Sequence, residues 1–135
     1  MGTFRISARI ANPARRKRSV VVDQMVVDTG SELTWVPGRL LEEIGVKREK
    51  KDATFEMANG QVITRSIGYA IIHVEEYVTI DEVVFGEDGD LPLLGARTLE
   101  GLNLRVDPRN KRLVAAGPII VAPVNSRQIH DQRGA

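Results

Sequence analysis

Met25-Val26-Val27-Asp28-Thr29-Gly30-Ser31 carries an apolar strand straight into an acid, a small hydroxyl residue and a glycine. Strand residues packed on one side would hold Asp28 at the rim of a core, where a carboxylate is costly unless hydrogen-bonded. Gly30 allows a sharp turn that brings a backbone N–H close to that carboxylate. Thr29 and Ser31 add hydroxyls able to fix the loop and orient the acid. Taken alone, an Asp-Thr-Gly triplet is common by chance, and an ordinary Asx turn at a strand end is the plainer account of it.

The surroundings are those of one β-rich domain. The chain has 135 residues, a length that suits a single domain. Hydrophobic residues make up 42% and aromatics only 4%, so the core must rest on Val, Ile and Leu, which favours strands. Phe4, Ile6, Ala8 and Ile10 alternate with Thr3, Arg5, Ser7 and Arg9, a period of two. Val20 to Val27 reads as a second strand, interrupted by Asp23 and Gln24. Pro37 to Gly45 reads as a short helix, with Pro in its first turn, Leu40, Leu41 and Ile44 on one face, and Gly45 as the stop. Ala53 to Met57 is extended, and Asn59-Gly60 then predicts a hairpin turn, because both residues tolerate positive φ. Strands follow over Gln61 to Val74 and Val78 to Phe85. Ala96 to Glu100 reads as one helical turn closed by Gly101. Leu102, Leu104 and Val106 alternate along a strand, Asp107 to Asn110 turns the chain, and Arg112 to Ala115 is extended. Gly117 to Ala135 becomes polar toward its end, and its first part is a further candidate strand.

Composition also narrows the chemistry. There is no cysteine, which removes disulfides, thiolate catalysis and Cys-based metal sites. The two histidines, His73 and His130, are far apart, so neither a metal centre nor His-activated nucleophilic catalysis is supported. A formal net charge of +1 argues against a general electrostatic grip on nucleic acid or membrane. The basic cluster Arg15-Arg16-Lys17-Arg18 reads as a solvated hairpin turn in preference to a binding patch. No apolar run reaches the roughly 20 residues that span a bilayer. The start of the chain lacks the basic-then-apolar layout of a signal peptide, so the expected compartment is the cytoplasm.

Two further motifs complete the pattern. Leu91-Pro92-Leu93-Leu94-Gly95 again runs apolar residues into a glycine ahead of a short helix, and the Ala58-Asn59-Gly60 hairpin lies between it and Asp28. In this order the residues resemble the aspartic proteases of the retropepsin and pepsin group. Asp28-Thr29-Gly30-Ser31 matches their catalytic loop, Ala58-Asn59-Gly60 resembles the tip of their flap, and Leu93-Leu94-Gly95 matches the motif that opens their helix. The resemblance runs from Phe4 to Ala115. It implies an all-β, closed retropepsin-like barrel with one or two short helices and a hairpin flap, placed at residues 1–116, with residues 117–135 as a terminal strand or tail. It further implies an aspartic endopeptidase with Asp28 catalytic, Thr29, Gly30 and Ser31 supporting the loop, and Ala58, Asn59 and Gly60 touching substrate. No cofactor or metal is called for.

The chemistry is consistent with that likeness. Two carboxylates sharing a proton can hydrolyse a peptide bond, one as base on a water while the other polarises the scissile carbonyl. Asp88-Gly89-Asp90 lacks a preceding apolar strand, and Asp107 before Pro108 reads as a turn residue. The second acid is therefore expected from a symmetry mate, making a homodimer that acts on peptide or protein and needs neither nucleic acid nor membrane. Ser31, where viral enzymes often carry Ala, implies a preference for acidic conditions. The flap tip has one glycine and neither the Gly-rich run of viral flaps nor the tyrosine of pepsins. Trp35 is expected as core or interface filler, His73 as a surface or interface residue, and Glu75-Glu76 as a solvated strand turn. The rival readings are a non-catalytic retropepsin-like interaction domain and a small ligand-binding barrel that merely carries Asp-Thr-Gly.

Overall fold

β-Branched and aliphatic residues at alternating positions form nine strands among the described residues, and in a computed structural model six of these close into a ring. The structure describes residues 3–122; His130, Pro123 and the polar end of the expected tail lie outside the described residues. β1 (Arg5–Ala11) pairs antiparallel with β2 (Ser19–Val27), and β1 also pairs with β5 (Val62–Val74). β5 pairs in turn with β6 (Tyr77–Gly86), which lies parallel to β3 (Thr34–Pro37). β7 (Leu93–Leu94) fills the space between β3 and β2 and so closes the ring. β4 (Lys50–Glu56) hangs on the outer end of β5, and β8 (Leu104–Asp107) with β9 (Arg112–Ala115) forms a separate ribbon. A closed ring removes the exposed edges that an open sheet of this size would carry.

The side chains that point into the ring build the core. Ile10, Met25, Ile72, Val83, Phe85 and Leu94 come from five different strands and are at most 1% exposed. Each such burial contributes about 1.5–3 kcal/mol. Asp23 and Gln24 do not break β2. They sit in a β-bulge opposite Ile6 and Ala8, with Gln24 at φ 61°, and both face solvent while Met25, Val26 and Val27 stay buried. The basic cluster is the exposed turn between β1 and β2, wound around Asn12, whose Oδ1 accepts the N–H groups of Ala14 and Arg15.

Two helices cap the ring. α1 (Gly38–Glu43) follows Pro37 and ends before Gly45, which takes φ +80°. α2 (Ala96–Leu102) ends in Asn103 at φ 57°, a left-handed cap.

Several boundaries depart from the sequence reading. Thr34–Pro37 is a buried strand that the sequence did not announce, and Leu93–Leu94 pairs as a strand of its own. Leu102 closes α2 instead of starting β8, because at the end of a helix it still packs into the core. In the single chain residues 117–122 form no strand, and Ile119, Ile120 and Val121 are 77%, 91% and 79% exposed. Among the described residues no helix is long and apolar enough to cross a membrane.

Candidate active site

Asp28 stands one residue past the end of β2. Its N–H donates to the Leu94 carbonyl at 3.0 Å, so β7 carries it directly. The Gly30 N–H donates to Asp28 Oδ1 at 2.9 Å, and the Ser31 N–H donates to the Asp28 carbonyl at 3.1 Å. The Asx turn that the triplet suggests by itself is thus present, but it is mounted on two strands from distant parts of the chain. Ser31 Oγ donates to the Leu33 carbonyl at 2.7 Å and straightens the chain into β3. Thr29 is exposed, and its hydroxyl makes no hydrogen bond among the described residues.

α2 locks this loop from the other side. The Ala96 N–H donates to the Ser31 carbonyl at 2.8 Å and the Arg97 N–H to the Glu32 carbonyl at 3.1 Å. Here the free N–H groups of the helix start find their acceptors in the Asp28 loop. The approach is close enough that a Cβ on Gly95 would overlap the Leu33 carbonyl and stand 2.9 Å from the Ser31 oxygen. Only glycine fits there.

Across from Asp28, β4 and β5 join in a hairpin. The Gly60 N–H donates to the Met57 carbonyl at 2.8 Å and the Met57 N–H to the Gln61 carbonyl at 2.7 Å. Gly60 takes φ +85°, but Asn59 does not adopt positive φ as the sequence suggested. Its side chain acts instead, with Oδ1 accepting the Gln61 N–H at 2.9 Å. The turn is therefore of the bulged kind that needs one left-handed residue, and Gly60 supplies it.

Loop and hairpin enclose a groove of about 720 Å³. Asp28, Gly30, Ser31 and Ala58 line it; Thr29, Asn59 and Gly60 do not. Its apolar walls come from Leu33, Trp35, Phe55, Met57, Leu91 and Leu93. Trp35 is only 7% exposed and packs tilted against Phe55, ring centroids 5.1 Å apart, so it joins β3 to the root of the hairpin while facing the groove.

Sequence reasoning missed the clamp beside this groove. Arg65 on β5 grips Asp90 with two parallel bonds, Nε to Oδ2 at 2.7 Å and Nη2 to Oδ1 at 3.1 Å. The Glu87 N–H also donates to Asp90 Oδ2, at 2.7 Å. The Arg65 hydrogen bond holds the Asp90 carboxyl below the usual carboxylate range, against a partial offset from burial, with further help from the Glu87 N–H and the Arg65 charge. Asp90 is thus a structural anion. The polar Asp88-Gly89-Asp90 run gave no signal of its partner, which lies 25 residues away. His73 on β5 faces Arg9 of β1 and lies outside the groove. Burial, followed by the charges of Arg9 and Arg16, pushes its pKa down.

A closed barrel carrying an Asp-Thr-Gly loop beneath a hairpin defines a retropepsin-like domain. A family model described as "gag-polyprotein putative aspartyl protease" matches residues 19–101, which takes in β2, the Asp28 loop, the hairpin and nearly all of α2. The chain belongs to this family. No curated protein matches the chain.

Proposed function

We propose that the chain is an aspartic endopeptidase in which the Asp28 carboxylates of two copies activate one water. The observation that carries the proposal is a carboxylate fixed by Gly30 and β7 at the mouth of a groove that a hairpin covers. One Asp28 removes a proton from the water, and the protonated partner donates to the scissile carbonyl oxygen, giving a tetrahedral diol. Return of a proton to the amide nitrogen then releases the two peptides. Two acids roughly 3 Å apart cannot both ionise, so the pair holds the shared proton that this step requires. The apolar run Ile119-Ile120-Val121 is exposed in the single chain, as is Thr29 beside Asp28, and both support docking of a second copy.

The groove suits an extended peptide. Apolar side chains would meet Leu33, Trp35, Phe55 and Leu93, while Glu32 and Glu56 add negative charge to the rim and enter no ion pair among the described residues. This favours substrates with apolar residues at the cleaved bond and basic residues near it.

Cleavage of a random peptide library by wild type and Asp28→Asn, from acid to neutral pH, tests the reading. Wild type is expected to give a bell-shaped rate profile, and the variant to fold, dimerise and lose activity. Activity in Asp28→Asn above about a thousandth of wild type would remove the mechanism. A strictly monomeric protein at high micromolar concentration, by analytical ultracentrifugation, would leave the interaction-domain reading in its place.

A further inference from the structure

Beneath the Asp28 loop lies a hydrogen-bond chain that the proposed chemistry does not use. Thr34 on β3 and Thr98 on α2 are both fully buried, although nothing in an apolar core asks for threonine at either position. Their hydroxyl oxygens are 2.6 Å apart. Thr34 Oγ1 accepts the Gly95 N–H at 3.0 Å, and Thr98 Oγ1 donates to Asp81 Oδ2 on β6 at 2.9 Å. The other Asp81 oxygen accepts the Glu82 N–H at 2.7 Å.

The direction of this chain is fixed by counting protons. An ionised carboxylate only accepts, and each hydroxyl has one proton to give. Thr98 spends its proton on Asp81, so Thr34 must donate to Thr98, and Thr34 is left as acceptor for Gly95. The carboxylate at one end therefore sets the orientation of both hydroxyls and presents a lone pair to a backbone N–H at the other.

That N–H belongs to the residue on which the site turns. Leu94, before Gly95, gives its carbonyl to the Asp28 N–H, and Ala96, after it, donates to the Ser31 carbonyl. We propose that Asp81, acting through Thr98 and Thr34, is a positioning residue that sets the height of Gly95 and with it the placement of the Asp28 carboxylate. None of the three side chains lines the groove, so the effect on substrate is indirect. The kinetic consequence rests on the protease reading; the structural one does not.

Asparagine at position 81 is the diagnostic change. Both Asp81 oxygens accept, so an amide of the same shape must turn its NH₂ toward either the Glu82 N–H or the Thr98 hydroxyl. Either choice breaks an acceptor or reverses the relay. The test measures backbone amide exchange by NMR at Asp28 and Gly95, with kcat and KM in parallel, in Asp81→Asn, Thr34→Val and Thr34→Ser. Val106→Ala, which truncates a half-buried side chain that packs against the core from β8, serves as a control for general destabilisation. Expected are faster exchange at both amides and kcat lower by roughly ten- to hundredfold with KM within twofold, for Asp81→Asn and Thr34→Val. Thr34→Ser, which keeps the hydroxyl, restores both. Asp81 is half-buried and asparagine is its isostere, so this variant decides the matter even where Val at the buried position 34 unfolds the chain. Exchange at Asp28 and Gly95 that is unchanged, or that matches the Val106→Ala control, overturns the inference. Should wild type cleave nothing at any pH, the protease reading falls and the exchange measurement alone still decides the role of Asp81.

Discussion

The Asp28 loop and the hairpin face each other across one groove, yet they are held in opposite ways. The loop is pinned by Leu94 of β7, by its own Gly30 and Ser31 amides and by the first turn of α2. Among the described residues the hairpin tip is held by bonds within residues 57–61, and a side chain added at Gly60 would meet nothing within 4 Å. Met57 and Val62 beside the tip are 39% and 62% exposed. On the proposed function, the group that must hold its geometry is thus mounted on paired strands, and the element that would admit a peptide is held mainly by its own turn.

The sharpest way to break this contrast is to disturb the rigid side. Gly95→Ala forces a methyl group onto the Leu33 carbonyl and pries α2 from the loop. It is expected to cost about 3 kcal/mol or more in urea unfolding, with loss of cleavage. A stable, active Gly95→Ala protein would show that the loop is not held as described. A smaller effect is expected at the clamp that joins β5 to the loop ending in Asp90. Because the folded-state pKa of Asp90 is depressed, the stabilisation is present above the ordinary carboxylate range and is lost as pH falls through the depressed value. Asp90→Asn should therefore cost about 1–3 kcal/mol near neutral pH, a gap that closes only in strong acid. Unfolding curves at several pH values measure it, and an equal gap at all pH values would deny the linkage. The smallest global effect falls on the hairpin. Gly60→Val places a β-branched residue at φ +85°, a local strain of about 1–2 kcal/mol. The unfolding midpoint should barely move, while KM for long peptides rises several-fold. An unchanged KM would take the hairpin out of substrate binding.

How much of this was legible depended on how local the signal was. β2 running into Asp28, the Asn-Gly turn and the glycine ahead of α2 are written in consecutive residues, and each appears where the sequence put it. β3 and β7 were not legible. Thr34 to Val36 are all buried, so no alternation shows, and Pro37 advertises a helix start instead. β7 has two residues and exists only because Val26 and Trp35 both pair with Leu93. The same holds for the side chains. The Arg65–Asp90 clamp and the Thr34–Thr98 contact join residues 25 and 64 positions apart, distances at which period and composition are silent. Asn59 was misjudged in detail, because a residue that tolerates positive φ can also serve a turn through its side chain.

β5 is thirteen residues long, and its two halves have different employers. From Ile67 onward it is wall, bonded to β6 and then to β1 as well. Before Ile67 the only strand it pairs with among the described residues is β4, and the Arg65–Asp90 clamp ties it to the barrel by side chains. In mechanical terms it is a cantilever, clamped at one end and reaching about 23 Å to Gly60 at roughly 3.3 Å per residue. Bending in such a beam concentrates where the support stops. At that point the β4 ladder is already irregular, with Asp52 at φ 59° in a register shift between Lys50 and Ala53. Gly68, next in line, presses against the Lys47 carbonyl so closely that no larger residue fits. The elbow of the hairpin is thus built into the wall of the barrel, and any load placed on the tip is delivered there.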